Sequence, residues 1–160
     1  MARRVSGNGF TLDWFGDDIA KQIGANLEPG LWAGGNIILG AAQSGAPVRS
    51  GNLVRSGYVA TEKRSSYRKV KRGRRQIKAQ PKTAVVAFGA FYANYFEDSG
   101  ARPHRIRARR SPALYMRGIG YRRSARHPGI RPRPFLAPAL ERTREQVASA
   151  MVAATARGLR

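Results

Sequence analysis

No cysteine occurs in the chain, which excludes disulfides and thiolate metal ligands and leaves the redox compartment undecided. Acids are scarce: nine Asp and Glu stand against thirty Lys and Arg. The adjacent pairs Asp17-Asp18 and Glu97-Asp98 point apart on any regular element, so neither is a ready acid–base dyad. Asp17-Asp18 reads better as the solvated face of a first helix. Only two histidines, His104 and His127, are present for proton transfer, and each adjoins a proline in an arginine-rich stretch. A turn or stacking role suits such a residue better than that of a general base. Gly7-Asn8-Gly9 and Ala33-Gly34-Gly35 lack the strand-to-helix context of a phosphate loop, and metal-ligand spacing is missing. No enzyme activity, metal or cofactor is expected. The longest apolar run, 31–42, falls well short of the roughly 20 residues that cross a bilayer. The opening MARRVSGNGF has no apolar stretch behind its charges. A soluble chain with neither a secretory signal nor a membrane partner is expected.

What is abundant is positive charge. A net +21 and a sequence pI near 11.7 call for a polyanion, an acidic protein partner or an assembly that supplies counter-charge. The 160 residues suit a single domain, 1–160, with a modest core. The charge is concentrated. Residues 63–82 hold ten Lys or Arg and no acid, and residues 101–133 hold eleven arginines, whereas Asp13, Asp17, Asp18 and Glu28 lie near the start. Candidate phosphate or partner contacts are Arg68, Lys69, Lys71, Arg72, Arg74 and Arg75 in the first run. Arg105, Arg107, Arg109 and Arg110 are those of the second. Tyr67, Tyr115 and Tyr121 offer stacking surfaces beside them. No helix-turn-helix, zinc-finger or RNA-recognition signature organises these cations, so nucleic acid would be bound without sequence preference. Neutralisation of acidic neighbours in an oligomer accounts for the charge equally well.

The pattern predicts an α+β fold: N-terminal helices, a small antiparallel sheet, two long basic loops or arms, and a C-terminal helix packing on the sheet. Thr11 fits an N-cap for a helix over 11–28, with Leu12, Phe15, Ile19, Ile23 and Leu27 at three- and four-residue steps. Glu28-Pro29-Gly30 breaks or bends it before a second helical stretch, 31–44. There Gly34 and Gly35 cost about 1 kcal/mol each relative to Ala and read as a weak spot rather than a site of close packing. Strands are expected at 57–62 and 83–98. The connection at 63–82 is too long for a tight hairpin. It is expected to project as a flexible loop or a pair of extended strands, so that removing 66–80 leaves the fold intact. Within the basic arm, 101–133, the apolar island 111–121 suits a short strand or a clamp onto a neighbour. "HPGIRPRPFLAPAL" (127–140) then runs as a stiff, extended approach to a helix over 138–157. Pro138 lies in its first turn, and Leu140, Val147, Met151 and Ala154 form its apolar stripe. Glu141 and Glu145 come early and Arg157 and Arg160 late, matching the helix dipole, and Gly158 is a natural stop.

Three blocks, in order, carry a resemblance. "APVRSGNLVRSGYV" (46–59) resembles the A-P-V-x-[ST]-G-x-L-x-x-S loop of the small head–tail joining proteins of long-tailed bacteriophages, also called tail-completion or neck proteins. "FYANYFEDSG" (91–100) is similar to that family's Y-A-x-x-x-E-x-G strand end. "HPGIRPRPFLAPALERTREQV" (127–147) is similar to its closing H-P-G…P-F-L-x-x-A-L and last helix. The resemblance implies a non-enzymatic virion protein at the head–tail junction, acting as a subunit of a homo-oligomeric ring. Its partners would be neighbouring neck, portal or tail-tube proteins, with genomic DNA a further candidate. In a ring, Leu114, Tyr115 and Met116 would be buried against the adjacent subunit. Phe135, Leu136 and Leu140 would anchor the subunit's own core. A tail terminator proper is the nearest alternative. Outside this class stands a sequence-independent nucleic-acid-binding protein, such as a ribosomal or nucleoid component.

Overall fold

A computed structural model describes the backbone of residues 3–7, 10–14, 16–70, 73–109 and 111–157, and their side chains from residue 20 onward. Where one domain was expected, the chain divides into two compact units, Met1–Phe91 with Phe135–Arg160, and Tyr92–Pro134.

The first unit opens with a hairpin of β1 (Arg3–Gly7) and β2 (Phe10–Trp14), in antiparallel register from Arg3↔Trp14 to Gly7↔Phe10. The expected helical start at Thr11 is therefore corrected. Phe10, Leu12 and Trp14 alternate with Thr11 and Asp13, and that period of two outweighs the helical spacing once a partner strand is present. Phe15, counted in the helical stripe, lies outside the described residues, as do Gly158 and Arg160. Helix α1 then runs unbroken over Gly16–Gly45, with Pro29 inside it. The expected break at 28–30 does not occur, although an interior proline costs a helix about 3 kcal/mol.

Packing against the last helix, α3 (Leu136–Arg157), supplies the compensation. A Cβ at Gly30 would lie 2.8 Å from Thr155 Oγ1 and 2.9 Å from the Met151 carbonyl oxygen, and one at Gly34 would lie 3.0 Å from Val147 Cγ1. The bare backbone of α1 thus lets α3 approach closely. A Cβ at Gly35 would meet Val59 Cγ1 at 2.6 Å. Gly34 and Gly35 are sites of close packing, not weak spots. A contrast follows. Gly30→Ala presses on α3 backbone that cannot yield and is expected to destabilise by about 1–3 kcal/mol. Gly34→Ala meets side chains only, Val147 Cγ1 at 3.0 Å and Met151 Cγ at 3.1 Å, which need give by only a few tenths of an ångström, and its gain in helix propensity, about 1 kcal/mol, leaves it near neutral. Urea denaturation of both variants checks this.

α3 packs along α1, not on the sheet as expected. Its buried residues are Ala139 and Thr143, with the Thr143 hydroxyl donating to the Ala139 carbonyl at 2.8 Å. Val147, Met151 and Ala154 continue that side, half-buried. Leu140 is 46% exposed, one position off the seam, so its assignment as a core anchor is corrected: a close crossing built on glycine selects Ala139 over the larger side chain. Leu136 is half-buried. Phe135 is 3% exposed and meets Phe88 edge-on, ring centroids 4.8 Å apart.

After the single helical turn α2 (Asn52–Arg55), β3 (Gly57–Thr61) pairs antiparallel with β4 (Ala84–Phe88). Val59 faces α1 at Gly35, and the Thr61 hydroxyl donates to Glu28 Oε1 of α1 at 2.5 Å. Tyr58 points the other way and is still only 1% exposed. Its cover comes from the basic segment 63–82, whose described residues, 63–70 and 73–82, do not form the projecting loop expected. Backbone bonds Thr61 N–H to Arg64 O (2.8 Å) and Ser66 N–H to Val59 O (2.9 Å) close the free edge of β3, and Arg74 N–H donates to Gly89 O (2.7 Å). The Tyr67 ring stands edge-on to Tyr58 at 5.1 Å, and the Ile77 N–H donates to the Tyr58 hydroxyl at 2.9 Å. The strand expected over 83–98 ends at Phe88: Gly89 N–H still donates to Ser56 O in ladder register (2.8 Å), but the Ser56 N–H is taken by the Asn52 and Leu53 carbonyls of α2, so pairing goes no further.

The second unit begins with a π turn, Tyr95–Ser99, where strand was expected. Beyond it the chain forms a two-stranded ribbon. β5 (His104–Arg107) pairs antiparallel with β8 (Ser124–His127), and β6 (Leu114–Met116) with β7 (Gly120–Arg122). The bridge Ala101↔Ile130 prolongs the base in the same register. Gly129 at φ 92° fits there because any Cβ would strike the Ala101 carbonyl oxygen. Between the two pairings the register shifts: the stretch from 108 to 113, of which Arg110 lies outside the described residues, falls between Arg107 and Leu114 on one strand while only Arg123 separates their partners on the other.

Candidate interaction surfaces

In the first unit, Arg68, Lys69, Arg74 and Arg75 are exposed, carried on backbone stitched to β3 and to Gly89. Lys71 and Arg72 lie outside the described residues. Tyr67, offered as a stacking surface, is half-buried and its hydroxyl donates to Arg74 O at 2.8 Å. It serves the fold, so that role is corrected.

In the second unit the ribbon sorts its residues by face, because directly paired residues of an antiparallel ladder share a side. One side carries Arg105 opposite Arg126 and Arg107 opposite Ser124. The other carries His104 opposite His127 and Ile106 opposite Ala125. The histidine rings stack at 4.9 Å with 24° between planes. His127 Nδ1 accepts the Gly129 N–H at 3.1 Å. His104 Nδ1 lies 2.9 Å from the Arg102 carbonyl oxygen, which can only accept, so this nitrogen bears the proton. All of β5 is exposed, as is Arg109 just after it. Arg110 lies outside the described residues.

At the tip, Tyr115 pairs directly with Tyr121, ring centroids 5.3 Å apart, and the two are 67% and 70% exposed. Ile119, in the turn between them, is 55% exposed. Leu114 and Met116 are half-buried and sit on the opposite side of the ribbon from Tyr115. The trio expected to act together is thus split, and the apolar tip is Tyr115, Ile119 and Tyr121. Its signal in the sequence is Arg117-Gly118-Ile119-Gly120, whose glycines take φ 83° and 82° and bring the two tyrosines into register.

Among the described residues no group of three or more His, Asp or Glu could hold a metal ion, and no helix is long and apolar enough to cross a membrane. Residues 10–98, from β2 through α1 and the β3–β4 sheet into the π turn, match a family model described as "Bacteriophage HK97-gp10, putative tail-component". The match covers more than half of the chain and sets it among the virion components of bacteriophage tails. The protein belongs to the HK97-gp10-like family. No curated protein and no solved structure gives a significant match.

Proposed function

We propose that this protein is a non-enzymatic subunit of the ring that joins head to tail, completing the tail and docking it to the neck. Membership of a tail-component family supports the reading, and the ribbon arm carries it. A two-stranded ribbon has little core of its own, and this one ends in exposed Tyr115, Ile119 and Tyr121. Amphipathic tyrosines on a stiff hairpin are typical anchors of protein interfaces. In a ring each arm would lay this tip on the next copy or on a neighbouring neck, portal or tail-tube protein, and many modest contacts around a closed circle would add up.

The test is the triple variant Tyr115→Ser, Ile119→Ser, Tyr121→Ser. It is expected to keep its far-UV circular dichroism and its melting temperature within about 3 °C, since changes at exposed positions cost little. Light scattering should then show loss of the ring, and phage carrying the variant should yield filled heads beside separate tails of normal length. Overlong tails would point instead to a terminator role. Intact particles would overturn the reading.

A further inference from the structure

We infer that the face of the ribbon arm made by Arg105, Arg107 and Arg126 is a binding site for the phosphate backbone of duplex DNA. The inference goes beyond the joining role and does not depend on it, because it concerns the cationic face and not the apolar tip.

Four observations carry it. Arg105 stands directly opposite Arg126, an arrangement of like charges that weakens a strand pair in an element with little other support. No acid occurs from residue 99 to residue 140, so this stretch supplies no counter-charge of its own. An anion seated between the guanidinium groups would convert that repulsion into attraction. The cations of the arm are all arginine, whose planar fork matches phosphate with two parallel hydrogen bonds. Arg105 and Arg107 are two residues apart on one strand, about 6.8 Å, comparable with the separation of successive phosphates along a nucleic-acid strand.

An acidic protein is the competing occupant, and the composition of the face argues against it. Arg105, Arg107, Arg126 and Ser124 include no apolar side chain, whereas protein interfaces draw their energy from buried apolar and aromatic anchors. Phosphate-backbone binding needs none, since release of condensed counterions drives it. Recognition would be blind to base sequence, because nothing on this face is arranged to read base edges.

The experiment is fluorescence anisotropy of the full chain with a labelled 20-base-pair duplex of arbitrary sequence, over a sodium chloride series. Arg105→Ser, Arg107→Ser, Arg126→Ser together should weaken binding by about 30-fold or more at low salt. They should also reduce the slope of log K against log salt by about 2.7, three phosphate contacts at about 0.9 each. A control removing the same charge elsewhere, Arg49→Ser, Arg142→Ser, Arg144→Ser, should change the slope by less than about 1. The single variant Arg105→Thr separates binding from folding: it relieves the like-charge pair, so DNA affinity should fall while the melting temperature holds or rises. The inference is overturned by equal effects of the two triple variants, by affinity and melting temperature falling together in Arg105→Thr, or by polyglutamate competing as well as DNA at equal charge. Failure here would leave the ring test above unaffected.

Discussion

Excising residues 66–80 and rejoining the chain is expected to cost more than about 5 kcal/mol, the low end of the whole stability of a natural domain. Cooperative unfolding of the first unit should be lost. The segment carries no large buried aliphatic side chain, which is why the sequence alone makes it look dispensable. Its work is done by Tyr67, by the Ser66 and Arg74 backbone, and by the Ile77 N–H. Together they roof the outer face of β3 and complete the hydrogen bonds of an otherwise open edge. Without them Tyr58 would lose its covering ring and the donor to its hydroxyl, and Ala60 would face water. A thermal melt followed by circular dichroism checks the deletion: a sharp transition within a few degrees of the parent would refute this account. The point variant Tyr67→Ala should cost about 2 kcal/mol, less than a fully buried aromatic because Tyr67 is half-exposed.

Phe135→Ala is expected to destabilise by about 3–5 kcal/mol, the usual range for truncating a buried phenylalanine. The ring is buried at the point where the chain enters α3, and its edge-on contact with Phe88 ties that helix entry to β4. A double-mutant cycle with Phe88→Ala should return a coupling of about 0.5–1.5 kcal/mol, the range for aromatic pairs. Leu140→Ala, one turn further along α3, should cost less than about 1 kcal/mol because its side chain lies largely in solvent. Urea midpoints for the three single variants and the double settle the comparison. Equal costs at 135 and 140 would show that α3 turns Leu140 into the core as fully as Phe135.

Much of the fold was legible. The C-terminal helix, the start of β3, the extended proline-rich approach and the burial of Phe135 follow from local chemistry, proline geometry and apolar periodicity; the helix-dipole reading holds only for Arg157, because α3 starts at Leu136 and has no acid in its first turn. Four features were not legible, each for a physical reason. Pro29 reads as a break unless the close crossing at Gly30 and Gly34 is known. Thr11 reads as a cap unless β1 is present to pair with Phe10–Trp14. Leu140 reads as core because apolarity marks a helix side only to within one position. The ribbon 104–127 reads as an irregular arm because its strands are short and arginine-rich, with little of the β-branched alternation that marks a strand.

On the candidate surfaces, the sequence shows which cations are present but not how they group. Arg105 and Arg126 are 21 positions apart and become a pair only through the register of β5 with β8. Tyr115 and Tyr121 meet only because the intervening turn holds two left-handed glycines.

By itself, the sequence determined that the chain is cysteine-free and heavily basic, with its positive charge gathered in two runs. It also determined the extended, proline-rich approach to the last helix, since proline geometry belongs to individual residues and their near neighbours. Tertiary structure alone decided that one basic run is roofing for the sheet while the other pairs with itself as a ribbon. It also decided which arginines face one another. Those outcomes depend on strand register and on backbone approach between segments far apart in the chain, and no local pattern of residues encodes either distance.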